Sequence, residues 1–124
     1  MLIYILIFLD QFLKYSAVNV KINNGMIYGI LSGYWTNLVI IVLSITLFFL
    51  YKVCYKPIIF AEFFFAGVLS NSIDRIIYGG VIDIFDFSHS YFIWFNLADI
   101  YISLFTILIY IYYSFRKRAF KKII

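Results

Sequence analysis

Two aspartates close the segments Gly79-Gly80-Val81-Ile82-Asp83 and Phe95-Asn96-Leu97-Ala98-Asp99. Two carboxylates that share a proton can serve as general base and general acid on a water attacking a peptide carbonyl. Sixteen positions separate Asp83 from Asp99, enough for the intervening loop to fold back and oppose them. Asp86, three residues after Asp83, competes for the same role. Other hydrolytic chemistries lack parts. His89 is the only histidine, so a serine or cysteine nucleophile has no evident base, and one histidine with one cysteine falls short of a three-ligand catalytic zinc site.

The elements that must position these carboxylates belong to a membrane. The 124 residues are 65% hydrophobic, 23% aromatic and 13% charged, with mean hydropathy +1.00. Soluble chains carry about 25% charge. With roughly 20 residues needed per crossing, the chain has room for four spans and no separate soluble domain. It reads as one integral membrane domain, residues 1–124, with spans at about 1–18, 37–53, 57–73 and 96–115. Only six acidic residues occur in this apolar chain, and each carboxylate kept near lipid is a functional candidate.

The first apolar run continues past Asp10 and Lys14 without a basic leader or a small-residue cleavage site, so it is expected to be a retained helix. Asn19 to Gly25 alternates polar and apolar residues and suggests a short strand ending in a turn. Gly25 to Gly33 is expected to lie at the interface, with Tyr34 and Trp35 at headgroup level. The run from Asn37 to Val53 is strongly apolar, with Lys52 near its end as its one charge, and Pro57 suits the first turn of the next helix.

The turn around Lys52 and Lys56, together with the tail Arg116 to Lys122, holds seven of the ten basic residues. The positive-inside rule makes both cytoplasmic and puts both termini inside. Asp10 and Lys14, Asn71 to Arg75, Asp83 and Asp99 then converge on the outer membrane face, where a site could be reached from lipid or from the outer surface. The net charge of +4 needs no nucleic-acid partner, because topology and attraction to anionic lipid account for it. Cys54 reads as a packing or turn thiol.

Structural readings stand beside the chemical ones. Asp10 and Lys14, spaced i,i+4, could be an ion pair and no more. Asp99 could be the acidic third residue of a helix capped by Asn96. Asp74 and Arg75 could mark a helix end at the headgroups. Glu62 could pair with Lys52 or Lys56, and Tyr91, Phe92, Trp94 and Phe95 read as interfacial anchors.

The ordered set Asp10-Gln11-x-x-Lys14, Asn23-x-Gly25, Asn71-x-x-Asp74-Arg75, Gly79-Gly80-Val81-Ile82-Asp83 and Phe95-Asn96-x-Ala98-Asp99 resembles the lipoprotein signal peptidase family, also called signal peptidase II. The resemblance implies an all-α membrane fold, a four-transmembrane-helix bundle with a small extracytoplasmic β element and an interfacial helix. It implies that Asp83 and Asp99 are the catalytic dyad and that Asn23, Gly25, Asn71, Arg75, Asn96 and Ala98 bind substrate. Asp10, Lys14 and Asp74 would support them. It further implies an aspartyl endopeptidase of the bacterial cytoplasmic membrane, a monomer without metal or organic cofactor, whose substrate is a diacylglyceryl-modified prolipoprotein cut N-terminal to the lipidated cysteine. The chain departs from the family at Met26, Ile27, Tyr28 and Ile100. The alternative is a small channel or proton-conducting subunit, which would line its path with charges at several depths.

Overall fold

The computed structural model describes residues 1–23, 33–54, 59–86 and 94–123. Most of them are helical: α1 (Leu2–Ser16), α2 (Tyr34–Cys54), α3 (Ile59–Tyr78) and α4 (Leu97–Ile123). Short strands β1 (Lys21–Asn23), β2 (Val81–Asp83), β3 (Phe85–Asp86) and β4 (Trp94–Phe95) join them. The expected interfacial helix, with Gly25, lies outside the described residues, as do His89 and the turn at Lys56.

Helix α3 is the hub, packing against α1, α2 and α4. The buried apolar cluster is small: Ile3 and Leu6 of α1, Ala61, Phe65 and Ala66 of α3, and Tyr101 of α4. Among the described residues polar side chains are buried in greater number, including Asp10, Lys14, Asn71, Asp74, Asp83 and Asn96. Large apolar side chains such as Val39, Phe49, Leu50, Ile107 and Ile111 face outward. This inverted distribution suits lipid, where helices gain nothing by hiding leucine from leucine and associate through close packing and hydrogen bonds. Among the described residues, Tyr34–Lys52 and Leu97–Ile123 are long and apolar enough to cross a membrane. Ser44, Thr46, Ser72 and Thr106 each donate to the carbonyl four residues earlier and so carry no free hydroxyl donor on an apolar helix.

Helices α3 and α4 meet at Gly67, where a Cβ would come within 2.5 Å of the Ala98 carbonyl oxygen. Ala98 itself is fully buried. Gly67→Ala is therefore expected to push α4 away and destabilise the protein by about 1–3 kcal/mol, readable as a lowered melting temperature in detergent micelles.

Two antiparallel ladders cover the end of the bundle where α3 stops and α4 begins. In the first, Lys21 faces Asp83, Ile22 faces Ile82 and Asn23 faces Val81. In the second, Phe85 faces Phe95 and Asp86 faces Trp94. The strand expected before Gly25 is thus β1, and its partner is the segment that carries Asp83. The turn into β2 is made by Gly79, whose φ of +73° lies in the left-handed region that glycine tolerates. The carbonyl of Gly79 is held by the Asn37 side chain of α2 at 2.6 Å.

Candidate active site

Helix α1 buries one stripe, Ile3, Leu6, Asp10 and Lys14, spaced by three or four residues as a helix requires. The apolar half of the stripe joins the core, and the polar half meets α3. Lys14 Nζ lies 2.6 Å from Asp10 Oδ2 and 2.6 Å from Asp74 Oδ2 and donates to Asn71 Oδ1 at 3.2 Å. Further bonds to the two carboxylates come from other elements. Asp10 Oδ2 accepts from Ser70 Oγ and Asp10 Oδ1 from the Ala98 N–H; Asp74 Oδ1 accepts from Gln11 Nε2 and Asp74 Oδ2 from the Ile82 N–H. One buried cation with two carboxylates therefore ties α1 to α3, to the first turn of α4 and to β2. Asp74 and Arg75 do not end α3, which continues to Tyr78 because Asp74 turns inward.

Asn96 precedes α4 and caps it. Its Oδ1 accepts from the Asp99 N–H at 2.9 Å, while Asp99 Oδ2 accepts from the Asn96 N–H at 3.1 Å, a reciprocal capping box. Asp99 does cap the helix, yet capping uses one of its oxygens and leaves the other to reach α3, where Asp99 Oδ1 accepts from Asn71 Nδ2 at 3.2 Å. Asn96 Nδ2 donates in turn to Asn71 Oδ1, to the Ile82 carbonyl and to Asp83 Oδ1, at 3.0, 3.1 and 3.2 Å. The two asparagines thus hold Asp83 and Asp99 in one network. Asp83 is 2% exposed, whereas Asp86 is exposed on β3 opposite Trp94. Asp83 lies on β2 and Asp86 on β3.

Burial pushes the Asp83 carboxyl up to about 7, and the negative charge of Asp99 adds to the effect; a hydrogen bond from Asn23 and the charge of Lys14 act in the opposite direction. A carboxyl held near neutrality beside a second carboxyl is the arrangement in which one proton can be shared. Arg75 is half-buried and donates from Nη1 to the Asn71 carbonyl at 3.4 Å.

Of the residues expected at the site, Asp83, Asp99, Asn71, Asn96 and Asn23 meet in this network, with Arg75 at its edge, and Asp10, Lys14 and Asp74 form the ion cluster behind it. Ala98 lies in the α3–α4 contact, with its N–H on Asp10. Glu62 sits in the first turn of α3, far along the helix from Asp74, and makes no ion pair among the described residues. Among the described residues, no group of three His, Cys, Asp or Glu side chains is placed to hold a metal. Ser70, to which sequence reading assigned no role, and Gln11, singled out there only as part of the Asp10-Gln11-x-x-Lys14 motif, brace the two buried carboxylates. The only signal for Ser70 was its position beside Asn71 in the chain.

The chain matches the family described as Signal peptidase (SPase) II over residues 2–115. It belongs to the signal peptidase II family. A lipoprotein signal peptidase of Campylobacter jejuni subsp. doylei is 37% identical over 114 residues, covering 85% of this chain and 72% of that one. The lipoprotein signal peptidase of Staphylococcus carnosus is 34% identical, covering 87% and 73%. Among solved structures, a bacterial membrane enzyme determined by the in meso method at 2.3 Å superposes with a TM-score of 0.69 at 27% identity, covering 90% of this chain and 84% of that chain. A second such enzyme, at 1.9 Å, gives 0.67 and 28% over 88% and 87%. The helices and ladders that assemble the network therefore belong to a signal peptidase II chain.

Proposed function

We propose that this chain is an intramembrane aspartyl endopeptidase of the bacterial cytoplasmic membrane that removes the signal peptide from diacylglyceryl-modified prolipoproteins, cutting on the N-terminal side of the lipidated cysteine. The observation that carries the reading is the convergence of Asp83 and Asp99 on the Asn71–Asn96 pair, at the end of a bundle whose outer surface is apolar. Family membership and relatives that are lipoprotein signal peptidases support the substrate.

In this mechanism Asp99, fixed by its capping bonds, is ionised and Asp83 holds the shared proton. Asp99 takes a proton from the attacking water as its oxygen bonds to the scissile carbonyl carbon. Asp83 gives its proton to the carbonyl oxygen, and the tetrahedral intermediate collapses as a proton passes to the departing amine of the cysteine. Asn71 and Asn96 keep the carboxylates in register, Asn23, Gly25 and Arg75 contact substrate, and Ala98 keeps the first turn of α4 tight against Gly67. Four helices cross the membrane with both termini in the cytoplasm and the dyad toward the outer face. The basic residues at Lys52 and from Arg116 to Lys122 favour this orientation.

The test is cleavage by the purified chain of one prolipoprotein with and without its diacylglyceryl group. Cleavage is expected only of the lipidated form, with a bell-shaped dependence of kcat/KM on pH whose upper limb falls near 7, where Asp83 of the free enzyme loses its proton. Equal cleavage of both forms, or a flat profile with chemistry rate-limiting, overturns the reading.

A further inference from the structure

Asn37 stands in the first turn of α2 and is buried, on a helix whose next residues Leu38, Val39 and Val42 face outward. Ser44 and Thr46 of the same helix return their hydroxyls to carbonyls four residues earlier. Asn37 reaches across instead, and its Nδ2 donates to the Gly79 carbonyl at 2.6 Å. A buried amide is costly unless it is hydrogen-bonded, and this bond meets that need.

The bond fixes a turn that packing leaves open. Gly79 follows the last residue of α3; its N–H donates to the Arg75 carbonyl at 3.1 Å, and its φ of +73° turns the chain toward β2. Ile76, Ile77 and Tyr78 are more than half exposed, and among the described residues no atom lies within 4 Å of where a Cβ would stand at Gly79. A cavity of about 570 Å³ opens beside the turn, lined by Tyr34, Leu38 and Ile41 of α2 and by Ile76 of α3. Asn37 and Gly79 also line it, so their bond joins its two walls. Glycine admits many conformations, and an untethered turn here would not hold one.

Asp83 lies four positions after Gly79. The strand that carries it is held at its middle, where the Ile82 N–H donates to Asp74 and the Ile82 carbonyl accepts from Asn96, and along its length by β1. Asn37 holds the end at which the chain enters. We propose that Asn37 is a positioning residue for the cleavage: by fixing the Gly79 carbonyl it sets the entry of β2 and so holds Asp83 against Asp99. The inference rests on the proposed function, because the position of β2 governs the rate only where Asp83 and Asp99 share the chemistry. Through this bond α2 acts on a dyad borne by β2 and α4.

The test uses the purified full chain and a diacylglyceryl-modified prolipoprotein, under conditions where chemistry limits turnover. Asn37→Leu removes the donor at similar volume. It should lower kcat on the order of 10- to 100-fold, the effect of a misplacement of about 1 Å, and leave KM within about twofold. The pH profile should move as well. The groups that act on Asp83 are Asp99 of α4, Lys14 of α1, Asp74 and Arg75 of α3 and Asn23 of β1, with Lys21 opposite it across the ladder, and burial is the first cause of its raised pKa. A strand free to shift lets water reach the carboxyl, so the upper limb of kcat/KM should move below 7. Ser44→Ala, which removes a buried hydroxyl elsewhere on α2, should leave kcat, KM and that limb unchanged. Should Asn37→Leu not fold, Asn37→Ala carries the same expectations without added bulk. A wild-type kcat and pH profile in the folded variant overturn the positioning role and leave the peptidase reading standing, as does an equal loss in Ser44→Ala, which would mark both as packing of α2. A raised KM at wild-type kcat also overturns it, since Asn37 would then contact substrate. A wild type that cleaves no lipidated substrate sinks the peptidase reading and the positioning role together.

Discussion

Lys14→Met is expected to destabilise the protein by about 3–5 kcal/mol, the range for removing one partner from a buried ion pair. Lys14 is 4% exposed, and its ammonium lies between Asp10 and Asp74, both fully buried. Removing it leaves two carboxylates facing each other out of water. The consequence reaches the site, because Asp10 holds the Ala98 N–H and Asp74 holds the Ile82 N–H, the residues next to Asp99 and Asp83. The two carboxylates are then left without their shared cation, which loosens the first turn of α4 and β2. The check is thermal unfolding in micelles at neutral pH. The wild type should melt well above Lys14→Met. An equal melting temperature at pH 7 would reduce the cluster to surface-like polarity.

Asp83→Asn and Asp99→Asn should each lower kcat on the order of 10³-fold or more, within the range associated with removing a general acid or base. Their effects on stability should differ. Asp99 caps α4 through both its N–H and its side chain, and the amide replacing it cannot accept from both Asn96 and Asn71 with the same strength, so a modest loss of about 1 kcal/mol is expected. Asp83 behaves otherwise. Its pKa is raised from the ordinary value near 4 to about 7, so the native state holds the proton more tightly than the unfolded chain. The contribution of Asp83 to stability is therefore greatest below pH about 4, declines as pH rises to about 7, and levels off above. Asp83→Asn stays neutral throughout and should lose less stability than the wild type between about pH 5 and pH 8. Melting curves at the two pH values, set beside kcat for each variant, separate catalytic loss from unfolding.

Much of this was legible in the residues. The apolar runs after Asn37 and Asn96 marked α2 and α4, the alternation before Gly25 marked β1, and the polar residues expected in one layer do gather at one end of the bundle. The boundaries were less legible, for a physical reason. Asp74-Arg75 looks like a helix end because charge usually marks the water boundary, yet Asp74 is internal and neutralised by Lys14, so α3 runs on to Tyr78. Likewise α4 continues past Phe115 to Ile123, since Arg and Lys are good helix formers once the apolar stretch has set the register. Ser70 and Asn37 were not legible. A single small polar residue within a hydrophobic run gives no periodic signal, and its value lies in what another helix brings to it. Spacing alone left Asp83 and Asp86 open, and it does not reveal the strand pairing that buries Asp83 and leaves Asp86 exposed.

The central claim is that Asp83 and Asp99 together cut a lipidated prolipoprotein before its modified cysteine. Its most direct test is single-turnover cleavage of a diacylglyceryl-modified prolipoprotein by the purified wild type, Asp83→Asn, Asp99→Asn and Asp86→Asn, with the products identified by mass spectrometry. The expected result is a released signal peptide ending just before the lipidated cysteine in the wild type and in Asp86→Asn, and no product from the other two on the same timescale. Normal cleavage by Asp83→Asn and Asp99→Asn, or loss of cleavage in Asp86→Asn alone, would contradict it.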